Sequence, residues 1–224
     1  MHNEFQVLGL QFHWYNMKEA MIKVAEYLDH DVINTIEIVT YETLLQEQFN
    51  TEWMECINRK DIVIAGDDEI LKAAGIVDRS NIRDVNHAKL VRTILQYINK
   101  NKKTVFVLAP SKEALSRFHV SISNYVRHLH IVGTEILEED PSKEEIVINK
   151  INGLDADCIL SILPSPYQES FIHKNQSLLH SRLWFGCGTF FDLEHKLSTR
   201  GGRIISYLKK KMFHYRVDRH NKMQ

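Results

Sequence analysis

Two periods of apolar residues alternate along the chain. Thr35–Thr40, Asp61–Ala65, Lys103–Ala109 and Cys158–Leu163 are short runs dominated by Ile, Val, Leu and Phe. Continuous apolar runs of this length predict strands buried on both faces, as parallel strands are. Between them apolar residues recur every three or four positions, which predicts helices. Asn16 and Glu19 form a capping-box pair ahead of Ala20, Val24, Ala25 and Leu28. Tyr41–Met54 reads as one helix with Leu44, Leu45 and Phe49 facing inward. Further helices are predicted over Glu69–Ala74, Leu90–Ile98, Pro110–Tyr125 and Pro141–Ile151. Phe5–Phe12 reads as a strand or hairpin arm, and His130–Gly133 and Ser181–Gly186 as further strands. Residues 78 to 89 read as polar and irregular. The alternation predicts an α/β fold: a Rossmann-like, mostly parallel, doubly wound sheet with helices on both faces.

The run at Cys158 ends at Pro164-Ser165-Pro166, a turn signal. Ser165 is the predicted N-cap of the next helix, with Pro166 at its first position and Gln168 at the capping-box position. That helix runs to about Leu179. Such a loop lies at the carboxyl end of a strand, where open α/β sheets bind ligands, and a helix amino terminus suits anions. Three other predicted strand exits carry polar or small residues. They are Thr40-Tyr41-Glu42, Gly66-Asp67-Asp68, and Gly186-Cys187-Gly188-Thr189 with Asp192 nearby. In a parallel sheet all four exits share one edge. Of the adjacent carboxylates Asp67 and Asp68, one is a general-base candidate, its pKa raised by the other's charge. The bland role is capping: Asp67 or Asp68, but not both, caps the next helix, with Asp68 placed to cap Glu69–Ala74, which Gly75 ends.

Net charge is -1 over 224 residues, so the whole molecule carries no polyanion-binding signature. The distribution is uneven. From Lys196 onward there are nine Lys/Arg and one acid, Asp218. Residues 196–224 therefore read as a basic amphipathic C-terminal tail, with Ile204, Ile205, Leu208 and Met212 at helical spacing, on a 1–195 α/β domain. An apolar stripe flanked by cations suits an anionic membrane surface. A nucleic-acid role is disfavoured by the acidic body and the lack of interleaved stacking aromatics. Cys56, Cys158 and Cys187 are few and far apart, as in a reducing cytoplasm, and no residues show metal-ligand spacing. Walker A, dinucleotide and nucleophile-elbow motifs are absent, and no run is long enough to span a bilayer.

Pro164-Ser165-Pro166-Tyr167-Gln168-Glu169 followed by Gly186-Cys187-Gly188-Thr189-Phe190-Phe191-Asp192 resembles the G-x-P-x-Q-E … G-V-G-x-x-F-D signature of the WecG/TagA/CpsF glycosyltransferase family. Ile38-Val39-Thr40, Ile64-Ala65-Gly66-Asp67 through Ala73-Ala74, and Val132-Gly133 are similar to weaker family segments. The resemblance runs from about residue 5 to 192. It implies an inverting transfer of an N-acetylhexosamine from a UDP-sugar to a polyprenyl-diphosphate-linked sugar, in cell-wall or surface-polysaccharide synthesis. The implied location is cytoplasmic, peripheral at the inner face of the membrane. No cofactor or tightly bound metal is implied, and self-association into a homo-oligomer is. Asp67, or else Asp68, would be the base. Thr40 and Gln168 would line the pocket and contact the donor. Glu42, Ser165, Gly186, Gly188 and Asp192 are further substrate-binding candidates at the strand exits, and Arg203 or Arg216 would stand in for the family's terminal basic residues.

The chain departs from the pattern in four places. It reads Gly66-Asp67-Asp68 where the family has Asp-Gly, Glu42 where it has Asn, Ala109-Pro110 where it has a glycine after the strand at 104–108, and Lys196–Gln224 in place of the terminal R-A-P-x-W and E-W-x-x-R-L segments. These changes support a rival expectation: a family member without catalysis that binds nucleotide-sugar, membrane or a protein partner.

Overall fold

The computed structural model describes residues 3–86, 88–192 and 200–222. Six strands form one wholly parallel sheet: β3 (Asn34–Val39), β4 (Ile62–Ala65), β5 (Val105–Ala109), β6 (Ile131–Ile136), β7 (Cys158–Ser161) and β8 (Leu183–Gly186). Their order is β4-β3-β8-β7-β5-β6, so the expected Rossmann-like topology is present. A separate antiparallel hairpin, β1 (Asn3–Val7) and β2 (Leu10–Trp14), precedes it. The hairpin lies beside β4, the outermost strand, where His13 Nδ1 accepts the Val63 N–H at 3.1 Å. An edge amide that would otherwise seek another strand is thereby satisfied.

Successive side chains of the sheet enter different cores, as a two-residue period requires. Ile36, Ile38, Ile62, Ile64, Val107, Leu160 and Phe185 point to one face. Helices α1 (Met17–Asp29), α6 (Lys89–Lys100) and α7 (Lys112–Ile122) cover it with Val24, Leu28, Ile94, Ile98 and Phe118. Phe106, Leu108, Ile159 and Trp184 point to the other face, under α8 (Glu144–Gly153) and α9 (Tyr167–Asn175). A third core joins the hairpin to α2 (Tyr41–Glu47), α3 (Thr51–Asn58) and α10 (Arg200–Asn221).

Local chemistry explains most element boundaries. The Asn16–Glu19 capping box at α1 is formed in both directions. The single helix expected over Tyr41–Met54 is two: the chain turns at Gln48–Asn50, and the Asn50 side chain accepts the Trp53 N–H to start α3. Phe49 is therefore exposed rather than inward, with the Arg216 guanidinium 5.2 Å over its ring. Residues expected to be irregular contain a helix, α5 (Arg79–Asn86), which has no buried residue. Its two apolar residues, Ile82 and Val85, are too few among eight to register as a period.

The basic tail is a docked helix. Phe213 is fully buried and Val217 nearly so, against Tyr41, Leu44 and Trp53. Burying one such ring contributes about 1.5–3 kcal/mol. Its other side leaves Ile204, Ile205, Tyr207, Leu208, Met212 and Tyr215 exposed. The expected boundary at 195/196 falls outside the described residues.

Candidate active site

The four strand exits lie side by side, because β4, β3, β8 and β7 are neighbours. At the end of β4 stands Asp67, the N-cap of α4 (Asp68–Ala73). Its Oδ1 accepts the N–H groups of Glu69 (3.1 Å) and Ile70 (3.2 Å), and its Oδ2 accepts that of Tyr41 (2.7 Å). The cap is thus Asp67, not Asp68. A carboxylate offers about four acceptor directions, so three N–H donors leave one. Burial pushes the Asp67 carboxyl up to about 7, against the pull of the Tyr41 and Ile70 N–H groups. One side chain therefore caps a helix and titrates near neutrality. Asp68 instead pairs with Lys72 at 2.7 Å, one turn along α4.

Asp67 lines a cleft of about 420 Å³, together with Tyr41, Glu42 and Asp68. The opposite wall is α10, through Ser206, Lys209 and Lys210. The helix is latched by polar contacts. Ser206 Oγ lies 3.0 Å from the Tyr41 hydroxyl, and Lys209 Nζ donates to Glu42 at 2.9 Å. Lys210 Nζ and His214 Nε2 reach the two carboxylate oxygens of Glu69 at 3.0 and 2.7 Å. Partial burial alone would raise the Glu69 carboxyl. Hydrogen bonds from His214, Lys210 and Lys72 outweigh it and hold the group down at about 2. Glu42, the acid where the family pattern has Asn, thus lines the cleft with its charge paired to Lys209.

The other expected site residues divide into lining and scaffold. Thr40 is buried and caps α2, its Oγ1 accepting the Thr43 N–H at 3.2 Å. Ser165 is not the N-cap of α9. That position is Pro166, without a side-chain cap, and Ser165 Oγ donates to Glu169 Oε1 at 2.6 Å. Gln168 is buried: its Nε2 donates to Glu37 Oε2 at 2.8 Å, and its Oε1 accepts the Gly188 N–H at 3.1 Å. Trp184 Nε1 donates to the other Glu37 oxygen at 2.8 Å. Gly186 has no side chain because Glu37 occupies the space; a Cβ there would lie 1.8 Å from Glu37 Oε2. Gly188 has φ +49°, a left-handed conformation that glycine adopts readily. Asp192 ends a 3-10 turn, Phe190–Asp192, and its side chain lies outside the described residues. Arg203 is exposed on α10, and the cleft cations nearest Asp67's wall are Lys209 and Lys210 instead.

Sequence reasoning missed Glu37, Lys209 and Lys210 as site-shaping residues. Glu37 had one signal, a lone acid inside the apolar run Thr35–Thr40. Burial pushes its carboxyl up, and the nearby Glu169 charge adds to the shift. The lysines were visible only as tail charge.

The arrangement is that of a Rossmann-like α/β protein whose cleft opens at the carboxyl ends of its parallel strands. The chain matches the Glycosyl transferase WecG/TagA/CpsF family over residues 5–213 and belongs to it. It is thereby a member of a glycosyltransferase family of cell-wall and polysaccharide synthesis. The match reaches Phe213 and so includes Lys209 and Lys210, well beyond the signature that ends at Asp192. Among the described residues no helix is long and apolar enough to cross a membrane.

Proposed function

We propose that the protein transfers an N-acetylhexosamine from a UDP-sugar to a polyprenyl-diphosphate-linked sugar, with inversion, at the inner face of a membrane. The observation that carries this reading is that Asp67, Lys209 and Lys210 line one cleft. In the transfer the acceptor hydroxyl attacks the anomeric carbon opposite the leaving diphosphate. The new C–O bond forms as the bond to the diphosphate oxygen breaks, and UDP leaves with that electron pair. Asp67 takes the hydroxyl proton; a carboxyl titrating near 7 is matched to that work at neutral pH. Lys209 and Lys210 exchange Glu42 and Glu69 for the diphosphate oxygens and offset the developing charge.

The exposed face of α10 is the part of the molecule suited to a membrane. Ile204, Leu208, Met212 and Tyr215 project outward, on a helix that also carries Arg203, Lys211 and Arg219. Insertion of this face at an anionic bilayer places the cleft beside a lipid-linked acceptor. A homo-oligomer is an alternative cover for the same face, read out by the mass in solution with and without liposomes.

The test is UDP release from a panel of UDP-N-acetylhexosamines, given a lipid-diphosphate-sugar acceptor in anionic liposomes. Acceptor-dependent release that vanishes in Asp67→Asn supports the mechanism. A second reading is a family member that binds nucleotide-sugar without turnover. The engagement of both lysines by Glu42 and Glu69 favours it. Donor binding by calorimetry with no release under any acceptor would establish that reading.

A further inference from the structure

A second cavity, of about 300 Å³, lies behind the backbone of Gly66. It shares Gly66, Val85, Ala88 and Phe190 with the Asp67 cleft, so the two are neighbouring compartments. Gly66, on the shared boundary, is packed tightly against the adjoining strand β3. A Cβ there would lie 2.9 Å from Ile38 Cγ2 and 3.0 Å from Thr40 Cγ2. The compartments differ in chemistry. The Asp67 cleft carries two lysines from α10, whereas the second cavity is walled by Trp14 and Tyr15 at the end of β2 and by Phe190. Its polar side chains include His13, Asn16, Asn81 and Asp84, and its lysine, Lys89, pairs with Asp84 at 2.7 Å. Aromatic faces with amides and a carboxylate suit a neutral ring bearing hydroxyls and an N-acetyl group, rather than a phosphate.

We propose that this second cavity binds the acceptor's sugar ring, with Trp14 as its stacking platform and Asn81 and Asp84 as its hydroxyl partners. The inference rests on the transferase reading and deepens it. An inverting transfer needs the attacking hydroxyl on the face of the anomeric carbon opposite the leaving diphosphate, with the base beside the hydroxyl. With the diphosphate at Lys209 and Lys210, the acceptor approaches from the Gly66 side. Its hydroxyl reaches Asp67 past the rim that the two cavities share and loses its proton there as the C–O bond to the donor sugar forms and the bond to the diphosphate breaks. Specificity for the acceptor sugar then resides mainly in the amino-terminal hairpin and α5, with Phe190 contributed by the signature segment at 164–192.

Tryptophan emission reads this directly. Trp53 and Trp184 are fully buried, whereas Trp14 lines the cavity and is partly exposed. Full-length protein is titrated with free N-acetylhexosamines, with UMP and with UDP, and UDP binding is followed in parallel by calorimetry. The expected result is a saturable emission change with an N-acetylhexosamine, lost in Trp14→Phe, and UDP binding unchanged in that variant. In Asn81→Ala, on the exposed helix α5, the acceptor KM rises about tenfold while the donor KM stays constant. UDP binding without any sugar-induced change, or the same Trp14 change with UMP, overturns the assignment and leaves the donor reading standing. Sugar binding without UDP binding keeps the cavity and sinks the donor reading. Should Trp14→Phe fail to fold by melting, Asn81→Ala carries the decision alone.

Discussion

The turn after β7 and the cleft beside β4 sit on the same edge of one sheet, and they use carboxylates in opposite ways. Glu37, on β3, is sealed beneath the turn and holds Gln168 and Trp184 by its two oxygens. Asp67, at the end of the adjoining strand β4, keeps one acceptor direction in hand at a cleft wall. Both carboxyls are raised by burial. The first is spent on scaffold: it fixes Gln168, which in turn fixes the Gly188 loop through the Gly188 N–H. The second has no equivalent side-chain partner, being held by three backbone N–H groups, so its titration is available for chemistry. A raised carboxyl pKa by itself does not separate these roles. What faces the free acceptor direction does.

The largest effect that would sharpen this contrast is on rate. Asp67→Asn should lower transfer by about 10²–10⁴-fold, the usual worth of a positioned base. It should also cost about 1–3 kcal/mol of stability, because one oxygen that accepts an N–H becomes an NH₂ group. Steady-state UDP release and denaturant melts separate the two. Glu37→Gln, by contrast, should retain measurable transfer; equal losses in the two variants would erase the distinction drawn between them.

Next in size is the docking of α10. Phe213→Ala should cost about 3–5 kcal/mol, the usual penalty for emptying a buried phenylalanine site. Transfer should be lost along with it, because Lys209 and Lys210 leave the cleft with the helix. An unchanged melting midpoint would show that the tail is an independent appendage.

Gly186→Ala should destabilise by about 1–3 kcal/mol through overpacking. The Glu37 carboxyl in its way is buried and hydrogen-bonded on both oxygens, so it is not a flexible tip that can swing aside. A stable Gly186→Ala protein would mean that the Glu37 seat is loose.

Smaller still is the effect of the cleft cations on folding. Lys209→Ala and Lys210→Ala should each cost about 1 kcal/mol, because the lysines are exposed while the carboxylates they satisfy, Glu42 and Glu69, are largely buried. Each should weaken UDP binding about tenfold, the worth of one charge-assisted hydrogen bond. Lastly, transfer should rise as pH is raised through about 7, where Asp67 loses its proton, and level off above it. A rate already flat between pH 5 and 8 would assign the proton to another group.

Much of the sheet was legible in the chain. β5 shows why: all five residues, Val105–Ala109, are buried, so nothing polar interrupts the run. The Asn16 capping box was legible for the same local reason, since donor and acceptor lie three residues apart. The break between α2 and α3 was not. An apolar phenylalanine at 49 continues the helical period although it points to solvent. Helix α5 was equally hidden, because two apolar residues among eight set no period.

The division within the site follows the same physics. Sequence by itself determined the strand exits, their polar residues, the family likeness and Asp67 as an acid at one of them. Those depend on neighbours in the chain or on alternation along a strand. Only the tertiary structure decided that Gln168 faces inward to Glu37, 131 residues away, and that Lys209 reaches Glu42 across 167 residues. It also decided that the second oxygen of Asp67, the cap of α4, accepts the Tyr41 N–H from the adjoining strand's exit, 26 residues away. Contacts of that span depend on which strands lie side by side, and periodicity carries no record of strand order.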